Sequence, residues 1–234
     1  AAFRRGGERG HGEAPGVWNP PDPDEYVRIP GDRLRARNGR FELHVTNELE
    51  EVLYLDHLRL DVLTHPDGVE VYPNEGLRSA PPPPAIYAVR GRRAPVSVRD
   101  EHGHDVAAAV AEIDRRAPDD FTLESIRGYA ARHALDVVVD DRGGPADVLL
   151  LTGWTDYAFS RDNVAAFQRG RRLSPPALQV RDGNGGWRTV VAEIGLPVGR
   201  PQTIVVDLRA PALRGARELR IVTDMRIYWD RVAV

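Results

Sequence analysis

The sequence predicts an all-β protein, a β-sandwich of the jelly-roll or galactose-binding-like kind with one or two short inserted helices. Three observations predict this class. Apolar and polar residues alternate in many short segments, turn-forming Gly, Pro, Asn and Asp lie between those segments, and helical periodicity is confined to short stretches. Many short strands separated by turns are typical of sandwiches and barrels.

Alternation with a period of two predicts strands in the first half of the chain. They lie at 41–45, 58–62 and 69–72, followed by 95–99 and 104–106, which form a hairpin around 100–103. The apolar pattern of 107–116 then predicts a helix that Pro118 ends.

The second half of the chain shows the same alternation with clearer turns. Strands are predicted at 135–139, 148–151, 178–180, 187–191, 203–208 and within 218–234. The run 148–151 is apolar on both faces, which predicts a central strand. The Gly-rich residues 182–186 predict a hairpin turn. Ser160 is expected to cap a short helix that reaches Phe167 and stops near Gly170.

Composition also divides the chain. Residues 1–35 are rich in Gly, Pro and charged residues and predict an irregular lead-in. Residues 36–234 carry the sandwich, either as one domain or as two subdomains that divide near residue 118. The first residue is Ala and no apolar run follows it, so we expect no signal peptide there and a chain that is processed or part of a longer protein.

Overall composition limits the classes of function. The chain has 234 residues, 41% of them hydrophobic, which is enough to bury the core of one large β domain or two small ones. It has no cysteine, which excludes disulfides, thiolate metal sites and a cysteine nucleophile. The net charge is −3 and both signs are mixed along the chain, which argues against a nucleic-acid partner. No aliphatic run approaches the roughly 18 residues of a membrane-spanning helix.

One pattern occurs twice, near residues 42–58 and 218–232. In each copy a strand and a polar loop lead to an aromatic and an apolar residue, then to Asp56 or Asp230. Alternation places both acids on the core face, where a carboxylate must find partners because its desolvation is costly. Each Asp either accepts backbone N–H bonds or pairs with Arg, or it joins loop carbonyls in a calcium site. The absence of a D-x-D-x-D-G loop disfavours calcium.

A weaker metal candidate lies in the predicted hairpin at 95–106. His102 and His104 are two residues apart, so their side chains would share one face of the hairpin and bind a metal ion together. The sequence indicates no third ligand nearby. The alternative is a turn that carries two exposed histidines.

Residues 153–163 combine aromatic rings with polar side chains directly after the predicted central strand. The ligand-binding candidates are Trp154, Asp156, Tyr157, Asp162 and Asn163. Aromatic faces with carboxylate and amide groups suit a sugar or another polar ligand. The alternative is that Trp154 packs in the core and that Asp162 or Asn163 caps the helix.

Several stretches of the chain resemble a known family. They are Tyr54-Leu55-Asp56, 65–75, 153–163 and 225–230. They resemble the C-terminal region of bacterial FG-GAP/ASPIC-UnbV proteins, which are similar to cartilage acidic protein, over residues 25–234. The resemblance implies an exported, multi-module bacterial protein with an adhesion-like or ligand-binding role outside the cytoplasm. The calcium loops of the family's propeller repeats are absent here, and the resemblance implies no catalytic residues.

These observations lead to three hypotheses about function. The first is a non-catalytic binding or interaction module of a larger, exported protein that recognises a carbohydrate or another protein. The second is a metal-dependent enzyme domain with a His/Asp site, although the chain lacks the G-x-S-x-G, G-x-x-x-x-G-K-[ST] and G-x-G-x-x-G motifs. The third is a structural accessory domain that packs on a neighbouring module of the same chain. Calcium is the single cofactor candidate.

Overall fold

The computed structural model describes residues 2–5, 25–46, 58–78, 85–140, 146–198 and 200–234. Thirteen strands and a single α-helix lie in this part of the chain, and antiparallel ladders join the strands into sheets. The all-β class is therefore confirmed. The chain divides into two compact units, residues 1–75 with 81–88, and residues 76–80 with 89–234. The division expected near residue 118 falls inside the second unit.

The first unit contains two small sheets. Strands β1 (Ala2–Arg5), β2 (Glu25–Arg28) and β3 (Leu58–Asp61) form an antiparallel sheet in the order β2-β1-β3. Strand β4 (Val69–Pro73) pairs with β5 (Ile86–Arg90), whose first three residues belong to this unit. Tyr72 is fully buried, and the Arg28 guanidinium lies 4.5 Å from its ring centroid. The Arg28 N–H donates to Glu75 Oε1 at 2.8 Å.

The strand predicted at 41–45 is wrong. Residues 41–46 form no strand, and the side chains of Phe41 and Val45 are 55% and 50% exposed. Alternation produces a strand where a neighbouring strand supplies the hydrogen-bond ladder, and no described strand does so here. Asp56, the first of the two matching acids, lies outside the described residues.

The second unit is a β-sandwich of five strands on three. Its elements are β6 (Ser97–Asp100), β7 (Tyr129–Val138), β8 (Val148–Thr155), α1 (Ser160–Gln168), β9 (Ala177–Arg181), β10 (Trp187–Val191), β11 (Gln202–Asp207), β12 (Glu218–Met225) and β13 (Ile227–Ala233). The larger sheet has the order β10-β9-β12-β7-β6 and the smaller one β11-β8-β13. Side chains of both sheets share one apolar core, among them Val137, Leu178, Leu219 and Ile221 from the larger sheet and Leu149, Leu151, Ile204 and Trp229 from the smaller.

Strand β8 is the central strand of the smaller sheet, as the apolar run at 148–151 predicts. It pairs with β11 on one side and β13 on the other. Leu149, Leu150 and Leu151 are all 0% exposed, so both faces of β8 are covered. The hairpin predicted around 182–186 is confirmed as well, because β9 and β10 pair antiparallel across it.

The chain crosses from the larger sheet to the smaller one at a single residue. Strand β12 ends at Met225 and β13 begins at Ile227, which leaves Arg226 as the corner. The Arg226 guanidinium donates to the carbonyl oxygens of Tyr129 and Glu124, at 3.1 and 2.6 Å. These bonds satisfy carbonyl groups at the corner, where a change of sheet interrupts the ladder.

The helix predicted at 107–116 is wrong beyond its first turn. The structure has a 3-10 turn at Ala107–Val110, and Arg115 has a φ of 66°, in the left-handed region. The backbone N–H groups of Asp114 and Arg115 donate to the carboxylate of Asp230 instead of to helical carbonyls. A side chain remote in sequence therefore ends this helix before it can propagate.

The helix predicted from Ser160 is confirmed as α1, with one correction at its start. Phe159, not Ser160, is the N-cap residue. The Phe159 N–H donates to Asp162 Oδ2 at 3.0 Å, so the acid in the first turn supplies the bond at this end.

Candidate functional site

The outer face of the five-stranded sheet carries a row of polar side chains across four neighbouring strands. The strand register places Arg220 opposite Asp136 on one side and Gln179 on the other, with Thr189 next to Gln179. Arg220 Nε and Nη2 bind the two Asp136 carboxylate oxygens at 2.5 and 2.7 Å. Gln179 Nε2 donates to Thr189 Oγ1 at 3.0 Å. The row is thus fixed by its own bonds.

Three apolar residues lie next to this polar row on the outer face of the sheet. Val222 on β12 is flanked by Ala134 on β7 and by Ala177 on β9. The surface is depressed at the two alanines beside this valine, because the methyl side chain of Ala fills little space above the sheet. Here a groove of about 410 Å³ opens on the outer face, with Ala177 and Val222 among its lining residues.

The far rim of the groove is polar and held in place. Asp224 accepts the N–H of Ser174 at 2.6 Å and its hydroxyl at 2.9 Å. Thr223 Oγ1 donates to the Ser174 carbonyl at 2.8 Å. These three bonds tie the loop before β9 to the end of β12, so the rim keeps its shape without a ligand.

Arg132 differs from the other polar residues of the groove. It lines the groove from β7 and is exposed. Its guanidinium makes no hydrogen bond or ion pair with any residue that the structure describes. A guanidinium offers five N–H donors, so Arg132 is available for hydroxyl, carbonyl or anionic groups of a ligand. The groove volume lies within the roughly 300–1,000 Å³ of typical ligand pockets.

The aromatic residues of the predicted ligand stretch pack mainly on other aromatic rings. Trp154 stacks on its cross-strand partner Tyr228, with ring centroids 5.5 Å apart and planes 16° apart. Tyr157 meets Phe159 edge to face at 5.6 Å. The guanidinium of Arg127 lies 4.1 Å from the centroid of the Phe159 ring.

The polar residues of the same stretch are also engaged. Asp156 binds Arg127 at 3.0 Å and Arg226 at 3.2 Å. Asp162 caps α1, and Asn163 Oδ1 accepts the Tyr129 hydroxyl at 3.1 Å. A ligand at 153–163 would have to replace these bonds, and a role for this stretch in ligand binding stays a prediction. None of its five candidates lines the groove.

The two histidines of the hairpin at 95–106 occupy different settings. His104 Nδ1 lies 2.9 Å from Asp100 Oδ2 and 3.4 Å from Asp120 Oδ2. The ring of His102 is 5.7 Å from that of His104, and its Nε2 is nearer Glu101, at 3.7 Å. Within the described residues, the group with metal-ligand spacing is Asp100, His104 and Asp120, and it excludes His102.

Hydrogen bonds at this turn set its electrostatics. Burial opposes ionisation of Asp100, but Oδ1 accepts the N–H groups of His104 and His102, and these bonds hold the pKa of Asp100 below its usual value. The bond to Asp100 and its charge, assisted by Asp120, raise the pKa of His104. The turn therefore places two carboxylates against one exposed imidazole.

Asp230 is 0% exposed, as its predicted inward orientation requires. It lies where the β13 register shifts between Trp229 and Arg231. Its Oδ1 accepts the N–H groups of Asp114 and Arg115 at 3.1 and 2.8 Å, so the carboxylate accepts backbone N–H bonds. Its Oδ2 makes no hydrogen bond with a described residue, and calcium binding there stays a prediction.

Sequence reasoning missed the groove because its residues come from separate strands and a loop. Alternation shows that Arg132 and Val222 lie on outward faces, but only the pairing of β12 with β7 on one side and β9 on the other brings Arg132, Val222 and Ala177 together. No local motif carries that information.

Comparisons with known proteins found no match for this chain among family models, curated proteins or solved structures. In the described residues, no helix is long and apolar enough to cross a membrane. The resemblance to FG-GAP/ASPIC-UnbV proteins stays a prediction, and the groove geometry provides the main argument for function.

Proposed function

We propose that the sandwich is a non-catalytic binding module whose outer-face groove takes a carbohydrate. The observation that carries the proposal is the groove itself, a low apolar floor between two hydrogen-bonded polar rims. A sugar ring presents apolar C–H faces and a rim of hydroxyls, so it matches an apolar floor that polar groups surround. The family resemblance supports the further proposal that this module is part of a larger, exported protein.

The rims offer both partners that a hydroxyl needs. Arg132 supplies donors, and the carboxylate of Asp224 has lone pairs beyond the two bonds that it accepts from Ser174. Because Asp224 and Ser174 already hold each other, little conformational entropy is lost when a ligand binds there.

The test is a glycan array followed by isothermal titration of the best glycan. Arg132→Ala removes the free guanidinium, and Ala177→Leu fills the floor of the groove. We expect Arg132→Ala to weaken binding by about tenfold or more, since losing a charged hydrogen bond costs about 1.5–3 kcal/mol. We expect a loss of the same size from Ala177→Leu, because the larger side chain occupies the floor where the ligand would lie.

Arg188→Ala is the matched control, because Arg188 is exposed on β10 and does not line the groove. It should leave the affinity within about twofold, in line with surface substitutions away from a site. Absence of binding to any glycan would overturn the proposal. Unchanged affinity in both groove variants would overturn it as well.

A further inference from the structure

We propose that Asp100, His104 and Asp120 form a binding site for a zinc-type divalent metal ion at the rim of the sandwich. This inference is independent of the groove, since none of the three residues lines it. Asp100 ends β6, His104 follows in the next turn, and Asp120 lies in the loop before β7. The ligand-type atoms of the three side chains all lie within 4.8 Å of one another.

The spacing of these atoms fits tetrahedral coordination. His104 Nδ1 is 2.9 Å from Asp100 Oδ2 and 3.4 Å from Asp120 Oδ2. Zinc bonds to nitrogen and oxygen of about 2.0–2.1 Å place tetrahedral ligands about 3.3 Å apart. An ion would therefore enter with small side-chain shifts, and it would take the place of the proton on Nδ1.

The donor set selects the class of metal. One imidazole and two carboxylates suit zinc and similar transition metals, whereas calcium and magnesium prefer oxygen ligands throughout. Asp100 is also preorganised, because its Oδ1 accepts the N–H groups of His102 and His104 while Oδ2 faces the imidazole. The carboxylate that would bind the ion is thus held by the turn.

A buried histidine next to this cluster is a second and independent observation. A cavity of about 20 Å³ is lined by Asp100, Asp120 and His133 together. His133 is 8% exposed and its ring stacks on Phe121 at 4.1 Å. Its Nδ1 lies 3.0 Å from the Ala131 carbonyl, so Nδ1 carries the proton and Nε2 is an acceptor.

That acceptor has no partner in the described residues. A buried acceptor needs a donor, and a cavity above about 10–15 Å³ has room for one water molecule. A zinc ion with three protein ligands keeps a bound water in the fourth position, and such a water is a strong donor. His133 Nε2 would then accept a hydrogen bond from that water, because His133 lines the same cavity as Asp100 and Asp120.

The test is isothermal titration of the metal-free full chain with zinc chloride, and elemental analysis of the loaded protein. We expect one zinc ion per chain. His104→Ala and Asp120→Asn should each weaken zinc binding by about tenfold or more, in line with the loss of a direct ligand. Asp120 is exposed, so its variant separates loss of a ligand from loss of the fold.

His102→Ala is the matched control, since it removes a histidine two residues away that lies outside the cluster. It should bind zinc within about twofold of the unchanged chain. His133→Phe keeps an aromatic ring against Phe121 and removes Nε2, and we expect weaker zinc binding with the stoichiometry retained. No zinc uptake, or equal losses in His102→Ala and His104→Ala, would overturn the inference.

Discussion

The two faces of the five-stranded sheet are made by alternate residues of the same strands, yet they have different properties. The inner face is apolar and buried, with Leu178, Leu219 and Ile221 between 0% and 1% exposed. The outer face carries the hydrogen-bonded polar row and the groove with Arg132. A period of two thus separates the side chains that stabilise the sandwich from those that can contact a ligand.

This difference predicts separable effects of substitution. A change on the inner face should alter the free energy of unfolding and leave the groove intact, because inner side chains make no contact with a ligand outside the sheet. A change on the outer face should alter binding, and should change the free energy of unfolding by about 1 kcal/mol or less. The following substitutions test the separation, from the largest expected effect to the smallest.

Leu219→Ala should have the largest effect. Leu219 is 0% exposed in the shared core, and truncation of a buried Leu costs about 2–5 kcal/mol through lost burial and a residual cavity. Urea denaturation measures the change. Glu218→Ala is the control, because Glu218 is exposed on the same strand and its pair with Arg181, at 3.3 Å, contributes under about 1 kcal/mol. Similar losses in both variants would contradict the comparison.

Asp230→Ala tests the polar exception inside the sandwich. The substitution leaves the N–H groups of Asp114 and Arg115 without their acceptor, which we expect to cost about 2–3 kcal/mol. Hydrogen exchange at residues 114 and 115 should accelerate, because that carboxylate is the partner of both amides.

Asp224→Ala is the control for this change. Asp224 also accepts two bonds, both from Ser174, but at a partly exposed site where water replaces the lost acceptor. Removing the Asp224 carboxylate should lower the free energy of unfolding by about 1 kcal/mol. If the Asp224 variant unfolded more easily than the Asp230 variant, burial would not be the factor that makes Asp230 important.

Two elements were predictable from their own residues. The hairpin at 182–186 joins strands that are close in sequence, and it is confirmed. The run 148–151 is apolar at every position, which indicates a covered central strand even though its partners β11 and β13 lie far along the chain, and it is confirmed as well. The burial of Asp230 agrees with the inward orientation that its alternation with Val232 and Val234 predicts, although the β13 register shifts at this residue.

Two sequence patterns gave wrong predictions, because a residue or strand remote in sequence determines the structure there. The helix expected at 107–116 ends early because its N–H groups bond to Asp230, more than a hundred residues away. The strand expected at 41–45 has no described neighbour to pair with. The sequence did not predict the groove for the same reason, since only strand pairing and a loop contact bring together Arg132, Ser174 and Asp224.

Arg220→Met should have the smallest effect of the three stability variants, and it tests whether the polar row stabilises the sheet. Arg220 binds Asp136, 84 residues away, and its guanidinium lies 4.3 Å from the centroid of the Trp187 ring. Both side chains of the ion pair are 27% exposed, so water screens the pair and its loss should cost about 1 kcal/mol or less.

A double-mutant cycle with Asp136→Asn isolates the coupling between the two side chains, and Trp187 fluorescence follows the urea transition. Methionine keeps the aliphatic length that covers the sheet, so the cycle reports on charge and not on packing. A coupling above about 3 kcal/mol would make the outer row as important for stability as the core. It would then contradict the separation of stabilising and ligand-contacting residues between the two faces of the sheet.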